Sequence, residues 1–454
     1  MTTDDAGPME PPAASAAAAE AEAAGDRSRP AGTRARRRRR WLFRLATLLA
    51  VLVGQEALFR AMFPIPDVPA FNRIHYQQMA QSHPNLGKAL AHGLVYERLR
   101  VASRPDGFVK VHSLNLRGFR TPDFAIDPAP GRRRILVIGD SVIEGEGAGD
   151  AETIPAAWSR LLAGEGTDAE VINLGAIAAS LPHLWAVVSE AVPLLRPTDV
   201  VVALYPNDMP YDDTRCLGVP PRRFPRPAPG WPRPRLAELL DRVILDRPIH
   251  RRWFHPPIDF FAPVPDSTNP WSSGKPRPPE LREDLCEDMK AGRLNPWLIF
   301  QSADMPRWLS HDFAAGGGSP RPFLEKMREV CRSAGARMTV AYTPFLGVVH
   351  PRYVPALVAL GMDRATAEAL PVDPKYRSQP RHLAEVCRDL GLPLADATAA
   401  LEAAEAAEGP QYWAYDTHPN PAGYATIARR IHEAWKASGT GAGGGLARSD
   451  GEKR

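Results

Sequence analysis

The chain has 454 residues, 44% of them apolar and 24% charged, and a net charge of +4. That length holds two or three average domains or one large domain with insertions, with enough apolar residues for a sizeable core. So small a charge, with no basic patch among aromatics beyond the N-terminus, argues against a nucleic-acid partner.

Residues 1–30 are rich in Ala, Glu, Pro and Gly and have little to bury. Arg34 and the run Arg36 to Arg40 follow, so residues 1–40 read as a disordered, basic cytoplasmic tail. Residues 41–63 are long enough to span a bilayer, with Glu56 and Arg60 four apart and able to pair on a helix. The competing readings are a cleaved signal peptide and a buried soluble helix. As an anchor, the segment places everything after Pro64 outside the cytoplasmic membrane, in the periplasm or beyond.

Residues 64–130 form a juxtamembrane segment without strong periodicity, in which 112–120 read as an extended piece ending in a turn. From residue 132 the pattern changes. A bare apolar run at 135–138 predicts a strand buried on both faces, and 169–174, 200–204, 338–342 and 392–395 read as further strands. Periodic stretches at 152–163, 181–195, 323–334, 381–390 and 421–436 predict helices between and after them. Many of the 48 prolines fall in an insertion at about 209–322. Residues 438–454 read as a disordered tail. Alternating strands and helices imply an α/β domain over 131–437, with a parallel sheet covered on both faces and its site at the carboxyl ends of the strands.

Cys216, Cys286, Cys331 and Cys387 make no CxxC pair and fit no zinc site. Their even number permits two disulfides, and buried thiols are the alternative. Cys331 and Cys387 share the local sequence Glu-Val-Cys-Arg.

Four short pieces carry the chemistry. Gly139-Asp140-Ser141, Asn173-Leu174-Gly175 and Pro206-Asn207-Asp208 each follow a predicted strand, and Asp416-Thr417-His418-Pro419-Asn420 precedes the last helix. Alone, the last piece reads equally well as a helix entry, and Gly175 and Asn207 read better as a turn and a turn or cap. Together, at one sheet edge, they supply a nucleophile, a base and oxyanion donors. The Ser141 hydroxyl needs a base to take its proton. His418 is that candidate base, with Asp416 placed to orient its ring. The backbone N–H of Ser141, the backbone N–H of Gly175 and the Asn207 amide are the candidate oxyanion hole. His183 and Trp185 lie near the second piece and read as core or surface residues. No GxxxxGK[ST], HExxH or GxSxG occurs, and Gly145 to Gly149 do not match GxGxxG.

These residues resemble the SGNH (GDSL-like) hydrolases. The resemblance covers about 132–436 and extends upstream to Asn115-Leu116-Arg117-Gly118-Phe119-Arg120, which is similar to a stretch preceding the domain in membrane-anchored bacterial members. It implies a flavodoxin-like three-layer α/β/α fold and a Ser-His-Asp mechanism without metal or cofactor. Two positions depart from the family pattern. The last block is D-x-H rather than D-x-x-H, with Tyr415 three before the histidine, and Tyr205 replaces a glycine two before Asn207. D-x-H occurs in relatives that acylate or deacylate exopolysaccharides. The resemblance therefore implies a carbohydrate O-acyl esterase. An O-acyltransferase using the same residues and a catalytically silent glycan-binding subunit are the alternatives.

Overall fold

The computed structural model describes residues 31–62, 100–103, 106, 108, 110–115, 119–177, 179–209, 214, 217, 258–259, 281–290 and 297–440. The expected tails at 1–30 and 441–454, most of the juxtamembrane segment, most of the proline-rich insertion and Cys216 lie outside them. Contacts divide the chain into two units.

The first unit contains helix α1 (Ala31–Met62). It starts ten residues before the expected anchor and takes in the arginine cluster, in keeping with the good helix propensity of arginine. Its Arg36–Leu58 stretch, 23 residues long and reaching a mean hydropathy of 1.4 over 18 residues, is long and apolar enough to cross a membrane. At 1.5 Å per residue it extends about 34 Å. The Arg60 side chain lies outside the described residues, so the expected Glu56–Arg60 pair does too.

The second unit opens with β1 (Arg100–Ser103) and β2 (Lys110–Ser113), an antiparallel pair. The five parallel strands of the main sheet include β3 (Arg133–Gly139), β4 (Ala169–Gly175) and β5 (Asp199–Leu204). A two-residue β6 (Ile258–Asp259) from the insertion joins β1 in the small sheet. Strands β7 (Arg337–Tyr342) and β8 (Leu394–Asp396) complete the main sheet, in the order β4-β3-β5-β7-β8. The chain direction across the sheet reverses between β3 and β5. Ligands bind at such a switch point, outside the carboxyl ends of the strands.

Both faces of the sheet are covered, which is why its strands read as bare apolar runs rather than alternating ones. Ile135 and Val137 point to one face, where α2 (Ser141–Glu144), α3 (Ile154–Gly164) and the C-terminal helix pack; Leu136 and Ile138 point to the other, covered by α4 (Leu181–Leu195) and α5 (Arg321–Ser333). Helix α6 (Ser378–Leu390) joins the second layer, and α7 (Thr398–Ala407) and α8 (Pro421–Trp435) join the first. Strand β8 starts two residues later than expected because Pro393 has no N–H to give to a ladder. The end of the insertion is helical at Glu283–Lys290 and Trp297–Leu309, the latter despite Pro306.

Cys286, Cys331 and Cys387 are buried free thiols. Cys331 and Cys387 sit in the second-layer core, where burial pushes both thiols up to about 12 and leaves them inert.

Candidate active site

Ser141 is the first residue of α2, the single turn that follows β3. Asp140 caps that turn by accepting the Val142 N–H at 3.0 Å, and Gly145 ends it in the left-handed region. The turn delivers the Ser141 hydroxyl to the carboxyl edge of the sheet, where Oγ lies 2.9 Å from His418 Nε2. The other ring nitrogen, Nδ1, lies 2.7 Å from Asp416 Oδ1. In the base form of His418 the proton sits on Nδ1, because an ionised carboxylate only accepts, and Nε2 accepts from Ser141. Residues 277 apart in sequence thus form one hydrogen-bonded chain, serine to histidine to aspartate.

The shortened D-x-H spacing works because of the backbone between its members. Tyr412 and Pro419 form an antiparallel bridge, and the Trp413 N–H donates to the His418 carbonyl at 3.0 Å, so 412–419 is a tight loop. Thr417 turns it, at φ +67. A β-branched residue there is strained by about 1–3 kcal/mol. The turn lets Asp416 reach the histidine from two positions away rather than three.

Glu146 is the site residue that sequence reasoning missed. It is buried, one turn beyond Ser141, with Oε2 3.6 Å from His418 Nε2. Its backbone N–H donates to the Ser141 carbonyl, and its own carbonyl accepts from the Tyr424 hydroxyl at 2.6 Å. His418 therefore lies between two carboxylates. Burial pulls its pKa down, but Glu146 and then Asp416 outweigh this and hold it up to about 10. Glu146 is itself pushed up to about 7, chiefly by burial and against the pull of His418. Only its place after the Gly-Asp-Ser turn could have singled it out in the sequence. Glu146, Asp416 and His418 bring three possible metal-ligating atoms within 4.8 Å of one another. Both ring nitrogens of His418 are already bonded, to Ser141 and Asp416, which leaves none for an ion.

Asp140 and Asp208 complete a cluster of buried acids. Burial raises Asp140 to about 6, against the Val142 N–H and the His418 charge. Asp208 is pushed well above the carboxylate range by burial and then by Asp140, and it accepts the Tyr205 N–H at 2.8 Å. Tyr205, at the family's glycine position, is a buried core residue. His183 Nδ1 pairs with the Ser180 hydroxyl in the first turn of α4, and Trp185 packs in the core, as a structural reading of both expects.

The three expected oxyanion donors differ in their surroundings. The Ser141 N–H makes no hydrogen bond among the described residues. Asn207 stands in the turn after β5, beside the switch point, with a buried Oδ1 that has no partner there. Gly175 has a hydrogen-bond partner and a packing role. Its N–H already donates to Asn173 Oδ1 at 2.9 Å. A Cβ on Gly175 would come 2.1 Å from the Glu144 nitrogen and 2.6 Å from the Ile143 carbonyl carbon. Glycine is needed there so that α2 can lie against the end of β4, which is a packing role. Asn173 completes the contact by donating from Nδ2 to the Ile143 carbonyl at 2.8 Å. Gly175→Ala is therefore expected to lower stability by about 1–3 kcal/mol, read by denaturant unfolding.

The upstream stretch holds the loop after α2. The Arg120 guanidinium donates to the Gly145 and Ala148 carbonyls and to Asp150. His112 pairs with Glu144 at 2.8 Å.

No family profile matches the chain, and no curated protein matches it. Solved structures do. The crystal structure of TesA is 14% identical, covering 67% of this chain and 99% of that one, with a TM-score of 0.33. A lipase/acylhydrolase from Enterococcus faecalis is 14% identical over 67% of this chain and 96% of its own, TM-score 0.33. A family 3 carbohydrate esterase from Clostridium thermocellum is 8% identical over 68% and 96%, TM-score 0.33. At these scores the similarities carry no argument about chemistry, which is read from the side chains above.

Proposed function

We propose that this protein is a serine ester hydrolase, anchored by α1, that acts on O-acyl groups of envelope or exported glycans outside the cytoplasmic membrane. The observation that carries the chemistry is the chain Ser141 Oγ–His418–Asp416, at 2.9 and 2.7 Å. Ser141 attacks the ester carbonyl while His418 Nε2 takes its proton. The tetrahedral oxyanion is held by the Ser141 N–H and the Asn207 amide. The intermediate collapses, and Nε2 returns the proton to the departing alcohol. Water then attacks the acyl-serine, giving its proton to Nε2, and Nε2 passes that proton to Ser141 Oγ as the second intermediate collapses and the acid leaves. Asp416 keeps the proton on Nδ1 and steadies the imidazolium that forms twice per cycle.

The glycan part of the proposal rests on the anchor and the family resemblance. The test is release of acetate from a panel of acetylated oligosaccharides by the full-length protein, beside Ser141→Ala. Release by the wild type alone supports the reading. Acyl groups that move only to an added glycan acceptor, with no free acid, would make the protein a transferase.

A further inference from the structure

The hairpin before the catalytic domain reaches into the site. Between β1 and β2, Asp106 stands at φ +46, and its carboxylate accepts three successive backbone N–H groups. Ala414 N donates to Oδ2 at 2.8 Å, and Tyr415 N and Asp416 N both donate to Oδ1 at 2.9 Å. The loop they belong to carries Asp416 and His418 and contains the strained Thr417. The same hairpin touches that loop twice more. Phe108 packs on Trp413 with ring centroids 5.5 Å apart, and the Lys110 ammonium lies 5.9 Å over the Trp413 ring. Trp413 in turn donates to the Gly147 carbonyl at 2.9 Å, beside Glu146.

We infer that Asp106 is a positioning residue for the reaction: its carboxylate fixes the backbone of residues 414–416 and so aims Asp416 at His418. The inference rests on the serine hydrolase reading. Hydrogen bonds to an ionised acceptor are about twice as strong as neutral ones, and three converge here on one carboxylate. They hold in place a turn whose central residue is strained. Burial raises the Asp106 pKa, but the three N–H groups pull the other way, toward the acceptor form the clamp needs. The catalytic unit therefore begins before residue 131, and the segment joining it to α1 supplies part of its machinery.

The test uses the full-length chain with Asp106→Ala and Asp106→Asn. The readouts are the rate of fluorophosphonate reaction at Ser141, amide exchange over residues 413–418, and thermal unfolding. A misplacement of about 1 Å can cost 10²-fold, so Asp106→Ala is expected to react about 100-fold more slowly, with faster exchange at 414–416, while the chain stays folded with a melting temperature lowered by about a few degrees. Asp106→Asn keeps the bonds from Tyr415 and Asp416 and loses that from Ala414. It is expected to recover to within about 10-fold of wild type, with faster exchange at Ala414. A merely structural role would not give this graded recovery in a folded protein. Wild-type rate and exchange in Asp106→Ala would overturn the inference; if that variant does not fold, the same result in Asp106→Asn overturns it. If the wild type does not react, the hydrolase reading has failed, and exchange alone decides the clamp: unchanged exchange at 414–416 in the variants overturns it.

Discussion

Replacing His418 by alanine is expected to lower ester turnover by about 10⁶-fold, whereas replacing Asp416 is expected to cost about 10⁴-fold. The two losses differ because the residues do different work. In the proposed reaction His418 Nε2, 2.9 Å from Ser141, takes the proton. Asp416 acts through the other nitrogen, and its removal leaves Glu146 3.6 Å from the ring to steady the imidazolium. Turnover of p-nitrophenyl acetate measures both. Equal losses would show that Glu146 gives no such support.

Glu146→Gln should move the pH dependence of kcat/KM to lower pH. The sign follows from the role of His418. The proposed reaction needs its base form, and Glu146 and Asp416 hold it protonated up to about 10, so activity is expected to rise with pH toward that value. Glutamine removes the negative charge nearest Nε2. A charge at this distance shifts a neighbour by about 1–3 pH units, so the rising limb should move down by that much. The variant gains activity near pH 7 and loses some at alkaline pH, because the weaker base is also a poorer proton acceptor. A limb that stays in place would mean that Glu146 does not act on His418. Comparing the profiles of wild type and variant over pH 6–11 decides this.

The sheet was legible in the sequence because parallel strands buried on both faces leave bare apolar runs, as at 135–138 and 200–204. Their order across the sheet was not, since a run of residues does not say which neighbour it pairs with. Ser141, His418 and Asp416 were legible from chemistry and position. Their distances depend on Thr417, whose left-handed turn has no propensity signal in a β-branched residue. Gly175 was ambiguous for a physical reason: a glycine at a strand end serves close packing as readily as it serves an oxyanion. In this chain Asn173 had already taken its N–H. Glu146 and Asp106 stayed hidden because a lone acid in a loop resembles any solvated acid until the fold gives it partners. Asp106 lies 310 residues before the Asp416 N–H that it accepts.

The central claim is that Ser141 is a nucleophile activated by His418. Its most direct test is mass analysis of the full-length protein after exposure to a fluorophosphonate. The structure predicts one adduct per chain, on Ser141, lost in Ser141→Ala and strongly slowed in His418→Ala. A folded wild type that takes up no label, or an equal adduct on Ser141→Ala, would contradict it.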